Sequence, residues 1–257
     1  MIQITIPSEA LRAAEVLKSA TGNARLPIYL LGSAAMGRLR PNSDVDIMAI
    51  VERPLPPAVR VHLLAVLMEI SGRYPRKVNE SRPLEVTIFL RRELEHRAYP
   101  AHSEFVYGEW LRAAFDAGKI PERVSNPDFT LLLAQARQHA RTLSGPDPAN
   151  LLPIISVSFI KRSIADSLPT LLDSWEGDAR NVILTLVRMW RTLATGDFVP
   201  KDEAAAWAIS RLPAESASWV AYARDEYLGT TRHDVERWPA AAKSVAHDLG
   251  ERVAAMT

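Results

Sequence analysis

The chain has 257 residues, 47% hydrophobic and 24% charged, a balance that excludes a disordered chain and fits one large domain or two ordinary ones of roughly 150 residues. Lys and Arg number 31 against 30 Asp and Glu, a formal net charge of +1 that argues against a basic nucleic-acid coat. The absence of cysteine excludes disulfides, thiolate zinc sites, cysteine nucleophiles and iron–sulfur clusters.

The opening Met1-Ile2-Gln3-Ile4-Thr5-Ile6-Pro7 lacks a basic segment leading into an apolar core, so no signal peptide is expected. No apolar run approaches the ~20 residues that span a bilayer. The expectation is a cytoplasmic protein with no membrane partner. In chain order, Ser8 is placed to cap a helix from Glu9 toward Ala20, stopped by Gly22. Ile28-Tyr29-Leu30-Leu31 reads as a buried strand ending in Gly32-Ser33-Ala34-Ala35-Met36-Gly37. A polar turn through Pro41, Asn42 and Ser43 leads to a strand from Asp44 to Val51, broken by Pro54, Pro56 and Pro57. A helix over Ala58–Ser71 follows, with Gly72 and Pro75 near its end, then a β-branched strand, Leu84–Leu90. Helices are predicted over Glu104–Ala117 and Phe129–Leu143, and Gly145–Asn150 with Pro153 reads as a linker. Only helices are predicted beyond it: Ile154–Leu172, Ala179–Ala194, Asp202–Leu212, Glu215–Leu228 and Asp234–Ala255. Strands and helices followed by helices alone predict an α+β N-terminal domain with a mixed sheet over 1–150 and an all-α bundle over 151–257.

The chemistry concentrates in Gly32-Ser33, Gly37 and Ser43-Asp44-Val45-Asp46. A strand has period two, so Asp44 and Asp46 project from one face and repel each other unless a cation lies between them. Hard oxygen ligands without Cys or a nearby His favour Mg²⁺ over zinc. The bland alternative makes Asp44 a strand-entrance cap and Asp46 a surface residue. Asp46 weakens it, because the wholly apolar Ile47–Val51 follows. Gly32 and Gly37 bracket a turn whose backbone N–H groups are able to approach a phosphate. Arg38-Leu39 stand where a P-loop needs Lys and a hydroxyl, which rejects a P-loop NTPase. Glu85, inside Leu84–Leu90, taken alone is an ordinary outward-facing glutamate. If its strand lies beside that of Asp46, it joins the carboxylates.

The pattern G-S-x-x-x-G, S-D-x-D and a later strand acid resembles the nucleotidyltransferase superfamily with the polymerase-β-like fold. Longer blocks resemble the aminoglycoside (3'')(9)-adenylyltransferase family. They are Leu31–Ala34, Leu39–Asp46, Leu84–Thr87, Tyr107–Trp110, Gly177–Leu186, Arg188–Trp190, Val199–Asp202 and Ala223–Gly229, in order along nearly the whole chain. The resemblance implies transfer of AMP from ATP to an aminocyclitol or aminoglycoside hydroxyl. It implies Asp44, Asp46 and Glu85 as catalytic and metal-binding residues, with Glu85 as the base. It also implies that Gly32 and Ser33 contact phosphate, that Arg188, Lys201 and Tyr227 contact ATP, and that Trp110, Asp178 and Asn181 contact the drug. Without it, Arg188 reads equally well as an internal ion pair, Lys201 as a solvated lysine, Tyr227 and Trp110 as core aromatics, and Asp178 as the cap of the helix from Ala179. Glu104 and Glu109 are weaker drug-pocket candidates, most simply read as a solvated helix face. Family members that accept streptomycin as well as spectinomycin carry a Trp and an Asp where this chain has Pro169 and Ser174, with Asp173 and Trp175 nearby. This resembles the spectinomycin-restricted branch. The expected partners are ATP with Mg²⁺ and a small drug, with no nucleic acid, acting on a monomer. The rivals are a nucleotidyltransferase with an RNA or protein acceptor and a catalytically dead binding module. The absence of an RNA-binding extension counts against RNA, and the retention of all three acids counts against the dead module. His96 and His102 lack zinc-hydrolase spacing, and no nucleophile elbow is present.

Overall fold

The computed structural model describes residues 5–40, 43–74, 76, 77, 79–96, 98–231 and 240–257. Met1–Ile4, the turn residues Pro41 and Asn42, Pro75, and the start of the final helix at Asp234 lie outside them. The chain divides into two compact units, one ending at Ile155 and the other running from Ser156 to Thr257.

In the first unit α1 (Ser8–Thr21) begins one residue earlier than the sequence predicts. The Pro7 carbonyl accepts from the N–H groups of Ala10 and Leu11, and Ser8 Oγ turns to Glu9, so Ser8 is not the cap. Gly22 ends the helix at φ 65°, as expected of a left-handed stop. Then come β1 (Ile28–Leu30), α2 (Gly32–Ala35), β2 (Val45–Val51), α3 (Pro57–Ile70) and β3 (Leu84–Leu90). Pro57 both ends the strand region and opens α3, where its missing N–H costs nothing. After these follow α4 (Arg91–His96), β4 (His102–Ser103), β5 (Phe105–Gly108), a 3₁₀ turn at Glu109–Leu111, α5 (Arg112–Asp116), β6 (Val124–Ser125), α6 (Pro127–His139), β7 (Arg141–Ser144) and α7 (Pro148–Leu151).

Five strands form one sheet in the order β5-β3-β2-β1-β7, while β4 and β6 pair separately. Strands β2 and β3 are parallel and the other pairings antiparallel, so the sheet is mixed. The centre is apolar on both faces because it is covered on both. Ile47, Ala49, Val86 and Ile88 join Leu17 of α1 and Leu63 and Leu67 of α3 in one core cluster. Met48, Ile50 and Phe89 meet Leu133 and Ala136 of α6 in the other. Each fully buried Ile or Leu stabilises the fold by about 1.5–3 kcal/mol, which holds β2 and β3 as a rigid pair.

The predicted helix over Glu104–Ala117 is corrected. Its first half is strand β5, because Phe105 and Tyr107 alternate into the first cluster and pair with Ile88 and Val86. The predicted helix Phe129–Leu143 stops at His139, and Arg141–Ser144 adds an edge strand to β1. The predicted linker holds a short helix, α7, capped by Asp147.

Glu104 is not on a solvated helix face. It is wholly buried, accepts the Leu55 N–H at 2.8 Å, and pairs with Arg60 and, at 3.1 Å, with Arg123. These contacts tie the segment after β2 to α3 and to the start of β5. Glu104→Gln leaves the half-buried Arg60 without its counter-charge, while Arg123 keeps Glu93. It is expected to destabilise the protein by about 3 kcal/mol in chemical denaturation, and a change within experimental error would contradict the buried cluster.

The second unit is helical throughout its described residues: α8 (Val157–Asp173), α9 (Trp175–Thr195), α10 (Lys201–Ile209), α11 (Ala214–Leu228) and α12 (Ala240–Ala254). Ser156 caps α8 by accepting the Phe159 N–H. Helix α9 packs against the other four, burying Val182, Ile183, Leu184, Leu186 and Val187. No described helix is long and apolar enough to cross a membrane.

Candidate active site

The parallel register of β2 and β3 places Asp46 directly beside Glu85. Both are second residues of their strands and both are half-buried. Neighbouring strands lie about 4.8 Å apart, so two carboxylates of like charge share one face of the sheet at close range. It is the face that carries Met48, Ile50 and Phe89 further along. Asp44, two residues before Asp46, enters from the half-buried segment ahead of β2.

On the β1 side, the Leu31 N–H donates to the Asp46 carbonyl at 2.9 Å, and the chain then turns at Gly32 with φ 59°. A Cβ at Gly32 would overlap Asp46 Oδ2, so glycine is required twice, by backbone angle and by space. Ser33 follows, half-buried, at the start of α2. On the β5 side Gly108 pairs with Glu85, and a Cβ at Gly108 would overlap the Trp110 ring. The indole therefore lies on the Glu85 face, and 60% of Trp110 is exposed. It is not core. The Gly32 turn, Asp46, Glu85 and Trp110 form a row across four strands.

Arg82 is a residue that sequence reading missed. Its guanidinium donates to the carbonyls of Arg40 (2.7 Å) and Ser43 (2.9 Å), holding the segment that leads into Asp44. Its own N–H is received by Glu9 at 2.8 Å. Burial, and then the Arg76 charge, lower the guanidinium from its ordinary value, against the opposing charges of Glu9 and Asp44. Such contacts, 42 and 39 residues apart in the chain, leave no spacing signature.

The metal reading needs a qualification. Among the described residues, no three His, Cys, Asp or Glu side chains are gathered to hold a metal ion. Asp44, Asp46 and Glu85 share a face without forming a preformed three-carboxylate cage. The donor set nevertheless fits a magnesium–nucleotide complex. Mg²⁺ is ordinarily held by one or two carboxylates, its other positions being filled by phosphate and water, and the absence of a side chain at Gly32 lets Asp46 Oδ2 pack against the backbone of the turn.

In the helical unit, Asp178, Asn181 and Arg188 lie at spacings of three and seven, on one stripe of α9, while Val182, Ile183, Leu184, Leu186 and Val187 are buried. Helix α9 starts at Trp175, so Asp178 sits in its first turn and is not its cap. Asp178 accepts from Asn181 Nδ2 at 3.0 Å, Asn181 Oδ1 accepts from Lys201 Nζ, and Lys201 lies 6.0 Å from the centre of the Tyr227 ring. Lys201 opens α10 after Pro200, as its sequence predicts. Four predicted residues thus form one string. Arg180, quoted in the sequence only as part of a block, makes an internal ion pair to the buried Glu226 at 3.2 Å. Asp178 keeps an exposed edge, yet desolvation raises its carboxyl above the ordinary value, against Asn181, Lys201 and Arg180, which pull it down.

The fold and the acid row define a nucleotidyltransferase. A nucleotidyltransferase-domain model matches residues 12–107, and a model of the aminoglycoside adenylyltransferase C-terminal domain matches residues 150–252. A spectinomycin 9-adenylyltransferase of Staphylococcus aureus is 44% identical over 229 residues, 89% of this chain and 88% of that protein. An aminoglycoside (3'')(9) adenylyltransferase of Klebsiella pneumoniae is 37% identical over 79% of this chain and 78% of that one. The crystal structure of a spectinomycin adenyltransferase from Enterococcus faecalis, with ATP and spectinomycin, matches with a TM-score of 0.88 and 31% identity, covering 95% of this chain and 98% of the other. The chain belongs to the aminoglycoside adenylyltransferase family.

Gly32→Ala tests the close approach. A non-glycine residue at that angle costs about 1–2 kcal/mol, and the added Cβ drives the Asp46 carboxylate aside. Calorimetry should show a modest loss of thermal stability together with weakened Mg-ATP binding. Unchanged binding would show that the packing of Asp46 against Gly32 does not bear on Mg-ATP.

Proposed function

We propose that the protein transfers AMP from Mg-ATP to the 9-hydroxyl of spectinomycin, releasing pyrophosphate and conferring resistance. The observation that carries this is the register placing Glu85 beside Asp46, with Trp110 on the same face, in a chain 44% and 42% identical to two relatives named for spectinomycin.

Glu85 accepts the proton of the attacking hydroxyl, whose oxygen bonds to the α-phosphorus as the bond to the pyrophosphate oxygen breaks. Ser33 and the Gly32 turn receive phosphate oxygens. Asp44 and Asp46, with Glu85 at the edge of the same set, are the residues to hold Mg²⁺. When bound, the ion neutralises triphosphate charge and stabilises the leaving oxygen. Arg188 and Lys201 supply positive charge to the triphosphate, and Tyr227, already packed under Lys201, faces the nucleotide. Trp110 offers the drug an apolar face, and Asp178 and Asn181 offer it an acid and an amide suited to a cation. Pro169, inside α8, and Ser174, whose hydroxyl is spent on the Leu171 carbonyl, give streptomycin neither the aromatic nor the acid of dual-specificity relatives. The near-neutral charge supports a small-molecule acceptor over RNA, and the use of ATP suits a cytoplasmic enzyme acting as a monomer.

Mass spectrometry of spectinomycin and streptomycin after incubation with protein, ATP and Mg²⁺ tests the reading. One added AMP on spectinomycin alone is expected, with kcat falling 10²–10⁴-fold in Glu85→Gln while ATP binding persists. AMP on both drugs would show that Asp173 or Trp175 admits streptomycin. AMP on neither, from protein that binds Mg-ATP, would assign a different acceptor.

Asp178 carries a pH prediction. Its carboxyl titrates above the ordinary range, and protonation removes the charge that attracts a cationic drug. Drug affinity should therefore fall as pH is lowered, sooner than an unperturbed aspartate would allow. In Asp178→Asn that acid limb should vanish and affinity at neutral pH should drop.

A further inference from the structure

We infer that Glu109 is a positioning residue, fixing Glu85 and Trp110 from the opposite face of the sheet; this rests on the reading of Glu85 as the base. Sequence reading placed Glu109 on a solvated helix face. Its side chain is instead 7% exposed and its carboxylate is saturated. Oε1 accepts from Ser71 Oγ (2.6 Å), Tyr107 OH (2.6 Å) and Arg112 Nη2 (2.7 Å), and Oε2 from Arg112 Nε (3.0 Å). Tyr107 points into the core beneath α3, away from Glu85, so the carboxylate sits behind the strand whose front carries the base.

Two chains of contact lead from it to the front. Ser71 Oγ, while donating to Glu109, accepts the Leu84 N–H at 3.0 Å, and Leu84 is the residue before Glu85. The neighbouring Gly72 N–H donates to the Arg82 carbonyl at 3.0 Å, and a Cβ at Gly72 would overlap the Ser81 carbonyl, so this turn grips the entry to β3 closely. On the other side Glu109 follows Gly108, the backbone partner of Glu85, and precedes Trp110, whose ring lies on Gly108. The Arg112 guanidinium, which also donates to the Met68 carbonyl at 3.1 Å, fixes the 3₁₀ turn to the end of α3. One carboxylate thereby sets the approach of β3, the β5 residue opposite Glu85 and the aromatic beside it. Burial works to raise its pKa, but the hydrogen bonds from Arg112, Ser71 and Tyr107 outweigh it and hold Glu109 below its ordinary value, an ionised anchor at neutral pH.

The test compares Glu109→Gln with Glu104→Gln, which also disturbs a buried arginine pair but at the far end of β3, where the Glu104 N–H donates to the Ile88 carbonyl. Below the unfolding temperature of each variant, Glu109→Gln should raise KM for spectinomycin and lower kcat, together by on the order of 10²-fold, and leave KM for ATP unchanged. Amide hydrogen exchange should quicken in peptides covering residues 82–88 and 106–111. Glu104→Gln should leave both kinetic constants unchanged. If Glu109→Gln does not fold, Ser71→Ala, which cuts only the relay to Leu84, should give the same pattern at smaller amplitude. Normal exchange with unchanged constants, or a loss of activity that only tracks the unfolded fraction, would overturn the inference. Should the wild-type protein transfer AMP to neither drug, the exchange result decides the bracing role, and the missing transfer counts against the acceptor alone.

Discussion

Two carboxylates are held side by side on adjacent parallel strands, and the arrangement of the first unit follows from that constraint. Asp46 and Glu85 stand on strands about 4.8 Å apart, and repulsion between two such acids grows as the surroundings become less polar. Left alone, the pair would splay or one strand would slip. A slip of one residue would turn Glu85 to the α3 face and bring Leu84 to the front. The apolar residues after each acid prevent it. They are buried on both faces, so a one-residue slip would bury a carboxylate in the cluster under α3. The core does more than support the site from below: it chooses the register that makes the two acids neighbours.

The glutamates around β3 and β5 show how partner sign separates roles. Glu104 meets two arginines in complete burial, and Glu109 meets an arginine, a serine and a tyrosine. Both are neutralised where they sit and act as ties within the fold. Glu85 has another carboxylate beside it across the ladder. An acid set against an acid gains by admitting a cation or a proton, while an acid clasped by arginine resists both. Residue type does not distinguish the three, because the distinction lies in what the fold brings against each.

This also explains what was legible in the sequence. Asp44 and Asp46 could be read because their spacing is local and the period of a strand puts them on one face. The edge of the apolar run marked Asp46 as out of place. Asp178, Asn181 and Arg188 were placed by the family resemblance, and the stripe they form emerges only because α9 begins at Trp175, ahead of the predicted start at Ala179. Glu109 and Glu104 were misread because Phe105-Val106-Tyr107, a strand, was taken as part of a helix, and a short segment rich in charged flanks carries both patterns weakly. Ser71 and Arg82 act through partners distant in the chain or through backbone carbonyls, and neither leaves a periodic trace; the Arg112–Glu109 pair is local, but it falls inside a segment predicted as one continuous helix. The family resemblance supplied roles for Lys201 and Tyr227 that spacing alone would not.

The helical unit follows a different electrostatic rule. Its string runs from an acid through an amide to a lysine and an aromatic ring, alternating the sign of charge presented along one surface. The amide of Asn181 is the hinge of that alternation. It donates to Asp178 and accepts from Lys201, so each charge is oriented without being fully neutralised by the other. A direct Asp178–Lys201 ion pair would satisfy both and leave neither for a ligand. An intervening amide holds a cation-seeking group and an anion-seeking group a few ångströms apart. That separation suits the cationic acceptor and the anionic triphosphate of the proposed reaction. The chain obtains it by placing Asn181 one helical turn beyond Asp178 and bringing Lys201 to it from the start of the next helix.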